Sequence, residues 1–256
     1  MNMIFTKDCL TGNTYLVTGA SSGIGQNTAR LISRCGGCVI ISGRNELRLN
    51  ETLVSLKGAG HSMSIVDLVD ADQTADWMKG VVTEHGALSG VFHSAGMELI
   101  RPIRMTKQAQ LNDVFGSSLF AAFGIARAAS QKNTIIQGGS LVFMSSVAGS
   151  TGNQGMTAYS AVKAGIDALV RSLACEMASR QIRVNSIVAG AVKTAMHDRI
   201  FNGSSDSAIE EYENSHLLGF GDADDISNAT IFLLSTASRW ITGTSLVVDG
   251  GHMVKK

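Results

Sequence analysis

Proline is almost missing from this chain: Pro102 is the only one in 256 residues, so tight turns must rest on the 28 glycines. Net charge is missing too, with 21 Lys plus Arg against 21 Asp plus Glu. That balance provides no basic surface for nucleic acid or an anionic membrane, and it leaves small partners or self-association. Four cysteines are too few to staple a chain of this length, which excludes a disulfide scaffold. Cys35 and Cys38 do form C-G-G-C, yet no second C-x-x-C or histidine pair completes a metal site, and Cys38 opens an apolar run in which a buried strand cysteine is ordinary. No apolar run reaches transmembrane length. Lys7 and Asp8 interrupt the N-terminal stretch where a secretory core would be apolar, so a cytoplasmic protein without a signal peptide is expected. What is present, 45% hydrophobic residues punctuated by glycine, can bury a large core. The length fits one α/β domain over residues 1–256.

Short apolar runs alternate with longer amphipathic ones, the pattern of βαβ units on a parallel sheet. Seven strands are predicted, at 14–17, 38–42, 61–68, 90–96, 140–146, 183–190 and 244–251. Helices are predicted from the glycine turn at 18–25 towards Arg34, from Glu46 towards Leu56, and at 71–84, 105–131, 159–179 and 225–235. The polar, Gly- and Ser-bearing segment 191–225 is the least sheet-like; it is expected to form a substrate lid with a short helix near 208–212.

Between the first strand and the first helix, Gly19, Gly23 and Gly25 are spaced G-x-x-x-G-x-G. Glycine permits positive φ and close backbone approach, and the helix that follows offers free N–H groups and a positive dipole end to phosphate. This places a dinucleotide at the turn formed by Gly19, Gly23 and Gly25. At the end of the second strand, where an acid would favour the free 2′-OH of NAD, the sequence is Ser42-Gly43-Arg44-Asn45. Arg44 offers a planar, permanent cation to a 2′-phosphate, so NADP(H) is favoured over NAD(H).

Tyr159 and Lys163 are four residues apart, which on a helix puts both on one face with Cβ atoms roughly 5–6 Å apart. An ammonium beside a phenol is expected to lower a pKa that is otherwise near 10, making the phenol a usable acid or base.

Taken in order, TGASSGIG, ISGRN, SSVAG, YSAVK, the run VNSIVAGAVKT and the terminal ITGTSLVVDGG resemble the short-chain dehydrogenase/reductase family, in particular its single-domain branch that includes 3-oxoacyl-carrier-protein reductases. The resemblance covers nearly the whole chain. It implies a Rossmann-type, doubly wound, seven-stranded parallel sheet with helices on both faces, and a homo-oligomer, tetramer or dimer, paired through the helices at 105–131 and 159–179. It also implies that Ser146, thirteen residues before Tyr159, hydrogen-bonds the substrate oxygen, with Ser145 the weaker choice. Tyr159 is then the general acid in reduction, and Lys163 both holds the nicotinamide ribose and depresses the tyrosine pKa. Cofactor contacts are implied for Gly19, Ser21, Ser22, Ile24, Arg44, Asn45, Leu68, Ala95 and Gly96, for Asp67 near the adenine, and for Thr194 near the carboxamide.

The chain departs from the family pattern at four places. N-N-A-G becomes His93-Ser94-Ala95-Gly96, where His93 is expected to satisfy a backbone partner rather than act as a base. The asparagine of the proton relay becomes Ser118. The usual P-G after the sixth strand becomes Ala189-Gly190, and Cys175 stands where a basic residue helps dock the acidic carrier, which weakens carrier docking. The expected activity is hydride transfer between a nicotinamide cofactor and a small carbonyl or alcohol substrate, without metal. A sugar or alcohol dehydrogenase of the same family and an NADP-binding regulator with weak catalysis are the alternatives.

Overall fold

The computed structural model describes residues 4–201, 203 and 205–255; residues 1–3 of the N-terminal stretch, 202 and 204 of the expected lid, and 256 lie outside the described residues. The strands are β1 (Thr14–Thr18), β2 (Cys38–Gly43), β3 (Ser62–Ile65), β4 (Leu88–His93), β5 (Ile135–Ser146), β6 (Arg183–Ala189) and β7 (Ser245–Val248). They form one parallel sheet in the order β3-β2-β1-β4-β5-β6-β7. Between them run α1 (Gly23–Arg34), α2 (Glu46–Val54), α3 (Ala71–His85), α4 (Gln108–Val114), α5 (Ala121–Ser130), α6 (Thr157–Met177), α7 (Ala195–Phe201), α8 (Asp206–Asn214) and α9 (Ala223–Leu234).

The sheet is Rossmann-type and doubly wound because its central strands are buried on both faces, which is why they read as unbroken apolar runs. Alternation decides the layers. Leu16, Val91, Leu141 and Val184 face one core with Met78 of α3, Ile125 of α5 and Ile166 of α6. Val17, Phe92, Val142 and Ile187 face the other with Ile32 of α1, Leu49 of α2 and Ile231 of α9. Strand order reverses between β1 and β4, whose register pairs Thr18 with His93. The carboxyl ends of these two strands therefore open the crevice in which α/β sheets take ligands.

Several expected elements differ from what is observed, among them the fourth strand, which is Leu88–His93 rather than 90–96, and the seventh, Ser245–Val248 rather than 244–251. The third strand is confined to Ser62–Ile65, leaving Asp67 and Leu68 in the loop beyond it. The fifth begins at Ile135, five residues earlier than its apolar run. The single helix expected over 105–131 is broken into α4, a π-helical turn at Phe115–Phe120, and α5. The Ser118 carbonyl inside that turn accepts a hydrogen bond from a ring nitrogen of His93, an acceptor used outside the helix ladder. The segment 191–225 carries α7 as well as α8, where one short helix is expected. Phe120 and Phe123 on the broken helix remain half exposed.

Candidate active site

The glycine turn sits where β1 enters α1. Gly19 has φ +68°, and a Cβ there would lie 2.8 Å from the Ala95 nitrogen, so the turns after β1 and β4 touch through bare backbone. A Cβ on Gly25 would lie 2.4 Å from the Gly19 carbonyl oxygen, so the first turn of α1 is equally tight against the same loop. Ser22 is the N-cap but makes no side-chain cap bond, which leaves first-turn N–H groups open at the positive helix end. Thr194 faces this turn: a Cβ on Gly23 would lie 3.5 Å from its Cγ2. Ser21 stands beside Gly43 at the end of β2, while Ile24 turns inward and packs against the core. This bare cradle at a helix N-terminus fits the pyrophosphate of a nicotinamide dinucleotide.

At the adenine end the chain is more crowded than its linear order suggests. Arg44 and Asp67 are both well exposed, with Nε 3.7 Å from Oδ1, so an acid absent from the second strand arrives from the loop after the third. The Asn45 side chain caps α2, accepting from the Arg48 amide at 2.9 Å, and Leu68 is buried.

Ser146, Tyr159 and Lys163 meet at the carboxyl end of β5. The Ser146 and Ser145 side chains diverge there. Ser145 is buried and bonded to Asp167, while Ser146 reaches the cleft with its Oγ accepting from the Ala148 amide at 3.3 Å. The Lys163 ammonium lies 5.4 Å from the centroid of the Tyr159 ring and donates to the Met144 carbonyl at 2.9 Å.

The expected depression of the Tyr159 pKa by Lys163 is corrected by this geometry. Tyr159 keeps partial solvent exposure, yet the protein mass around its oxygen pushes the phenol up to about 12, with the Ser146 hydroxyl pulling the other way and Glu98 and Tyr212 adding to the rise. Lys163 is itself held down to about 8 by burial. Desolvation outweighs charge proximity at both groups, and the ammonium spends its direct hydrogen bond on a carbonyl.

Two of the departures fall on one network. His93 is buried, with Nε2 3.2 Å from the Ser118 carbonyl and Nδ1 2.9 Å from Thr18 Oγ1. A carbonyl only accepts, so Nε2 carries the proton and Nδ1 takes the one from Thr18. The Thr18 oxygen is then free to accept the amides of Ser94 and Ala95, at 3.2 and 3.1 Å. His93 is thus the satisfied strand histidine expected, tying the turn after β4 to the π-helical turn. The Ser118 hydroxyl is fully buried with no hydrogen-bond partner among the described residues, and it lies 2.7 Å from where a Cβ on Gly96 would be.

Burial lowers the His93 pKa from 6.5 to about 4. Native His93 stays neutral while the unfolded residue protonates first, so the contribution to stability is full above pH 6.5 and is lost as pH falls towards 4. About 2 kcal/mol should go between pH 7 and pH 5. Urea unfolding of the wild type and of His93→Asn at both pH values reads this directly: the variant should lose about 2 kcal/mol less, and equal losses would contradict it.

Several residues near the site carry no motif. Glu98, after β4, accepts from Arg199 of α7, Oε1 at 3.0 Å and Oε2 at 3.4 Å, joining the segment 191–225 to the far side of the cleft. His216 accepts from the Ala191 amide at 3.1 Å through Nε2 and donates to the Tyr212 carbonyl at 3.1 Å through Nδ1. Asp167, an acid inside the apolar run AGIDALV, was visible in the sequence but had no motif to mark it.

All four cysteines are free, and the Cys38 thiol donates to the Gly60 carbonyl at 2.8 Å. Among the described residues no cluster of His, Cys, Asp or Glu could hold a metal, and no helix is long and apolar enough to cross a membrane.

A doubly wound sheet with a bare glycine cradle at its switch point is the architecture of a dinucleotide-binding protein. The chain belongs to the short-chain dehydrogenase/reductase family. The family profile described as "Enoyl-(Acyl carrier protein) reductase" matches residues 19–253. The chain is 31% identical over 245 residues to the 3-oxoacyl-[acyl-carrier-protein] reductase FabG of Rickettsia prowazekii, covering 96% of this chain and 98% of that one. It is 30% identical over 239 residues to the protein of the same name from Staphylococcus aureus, covering 92% and 96%. A solved short-chain type dehydrogenase/reductase from Mycobacterium ulcerans superposes with a TM-score of 0.86 at 32% identity, over 96% of this chain and 92% of that one.

Proposed function

We propose that this enzyme is an NADP(H)-dependent reductase of small ketones, related in chemistry to the 3-oxoacyl-carrier-protein reductases it resembles. The observation that carries this reading is the convergence of Ser146, Tyr159 and Lys163 beside the glycine cradle. A bound nicotinamide dinucleotide supplies the hydride. Ser146 steadies the carbonyl oxygen, and Tyr159 delivers its phenolic proton to that oxygen as hydride reaches the carbon. Burial raises the phenol, so it keeps its proton through the neutral range, the form in which a reduction uses it. Lys163 keeps a positive charge beside the phenol and offers its remaining N–H donors to the nicotinamide ribose. The first-turn amides of α1, with Ser21 and Ser22, hold the pyrophosphate, and Thr194 holds the carboxamide. The segment 191–225 serves as the lid, latched by Arg199 to Glu98 across the cleft.

Arg44 is the group assigned to the 2′-phosphate, for which it must leave Asp67. Initial rates with a panel of 3-oxoacyl thioesters and simple ketones, each with NADPH and NADH, test both parts of the reading. The wild type should prefer NADPH. Arg44→Ala should lower kcat/KM for NADPH about 10- to 100-fold, the worth of one charged hydrogen-bonded pair, and leave NADH nearly unchanged. A wild-type preference for NADH overturns the cofactor assignment, and cofactor binding without turnover of any carbonyl overturns the activity.

A further inference from the structure

Asp167 lies one helical turn beyond Lys163 on α6 and is only 7% exposed. Buried carboxylates ordinarily sit against a cation. Among the described residues, no Lys, Arg or His pairs with this one at salt-bridge distance. Hydroxyls surround it instead. Ser186 Oγ donates to Oδ1 at 2.6 Å, Ser245 Oγ to the same oxygen at 3.1 Å, and Ser145 Oγ to Oδ2 at 3.0 Å. The adjacent strands β5, β6 and β7 thus each commit a serine to one side chain of α6. Donors of this kind compensate the burial of a negative charge but do not neutralise it. The nearest use for that charge is on the same helix face, where spacing of four residues brings Cβ atoms to roughly 5–6 Å. Lys163 is 5% exposed, and its direct partner is a neutral carbonyl, that of Met144, next in sequence to Ser145.

We propose that Asp167 is a positioning residue whose serine-held carboxylate keeps Lys163 protonated beside Tyr159. This rests on the role given above to Tyr159 and Lys163. Among the described residues, the titratable groups facing Lys163 are Tyr159 and Asp167 of α6 and His93 of β4. His93 is neutral and Tyr159 retains its proton, which leaves Asp167 as the one anion among them. Burial drives the Lys163 proton off and the field of Asp167 holds it on.

Asp167→Asn is nearly isosteric and removes the charge; Ser186→Ala keeps the charge and removes one donor. In the enzyme without cofactor, the carbon-13 shift of the Lys163 ε-carbon should titrate about one unit lower in Asp167→Asn than in the wild type, and unchanged in Ser186→Ala. The alkaline limb of kcat/KM should move with it, so that Asp167→Asn is about fivefold slower than the wild type at pH 8 and near parity at pH 6. An unmoved Lys163 titration, or a loss of rate equal at both pH values with a lowered melting temperature, assigns Asp167 a merely structural role and overturns the proposal. Failure of the Tyr159 assignment would show differently, as turnover surviving in Tyr159→Phe, and leaves the Lys163 titration readable on its own.

Discussion

Tyr159→Phe is expected to lower kcat about 100- to 10,000-fold, the range spanned by a lost general acid, with the affinity for NADPH held within about twofold. The substitution removes one oxygen and keeps the ring, so the packing of Lys163 over that ring is preserved. What disappears is the phenolic proton beside the Ser146 hydroxyl. Turnover under saturating substrate and NADPH titration by nicotinamide fluorescence separate the two effects. A kcat within about tenfold of the wild type would remove Tyr159 from the chemistry.

Gly25→Ala should damage the cofactor site from the opposite side. Gly25 has ordinary helical φ, so the cost is not backbone strain. The added methyl would sit 2.4 Å from the Gly19 carbonyl oxygen and 2.8 Å from its carbon, against backbone that cannot rotate away. Either α1 or the turn must move, at about 1–3 kcal/mol for an overpacked site. Because both parts form the cradle, that displacement is expected to weaken NADPH binding about 5- to 150-fold. Gly23→Ala is the informative companion. Its methyl would meet only Thr194 at 3.5 Å, an ordinary contact, but its φ of +55° makes the same methyl a backbone problem. Fluorescence titration and thermal melting of both variants distinguish crowding of the cradle from strain, and an unchanged NADPH affinity in Gly25→Ala would show that the turn is not part of the cofactor site.

Much of the fold was legible along the chain, for a physical reason. Parallel strands buried on both faces must be apolar throughout, so the cores of β1, β2, β5 and β6 stand out as runs. Glycine marks where backbones touch, so the turn at Gly19 and Gly25 stands out as well. Helix spacing made the shared face of Tyr159 and Lys163 predictable, and it is observed. The break at Phe115–Phe120 was not legible, since one of its carbonyls is claimed by His93 from 25 residues away, and no local propensity registers such a partner.

Local order therefore determined the alternation of strands and helices, the parallel sheet, the glycine cradle and the three side chains that gather at the carboxyl end of β5. It determined these because periodicity, backbone freedom and residue spacing are properties of neighbours. Only the tertiary structure decided the electrostatics. It set Asp67 against Arg44, packed enough protein around the Tyr159 oxygen and Lys163 to reverse the expected shift of the phenol, and brought three strands' serines to Asp167. Desolvation and charge proximity depend on what lies across space, and the chain order carries no record of that.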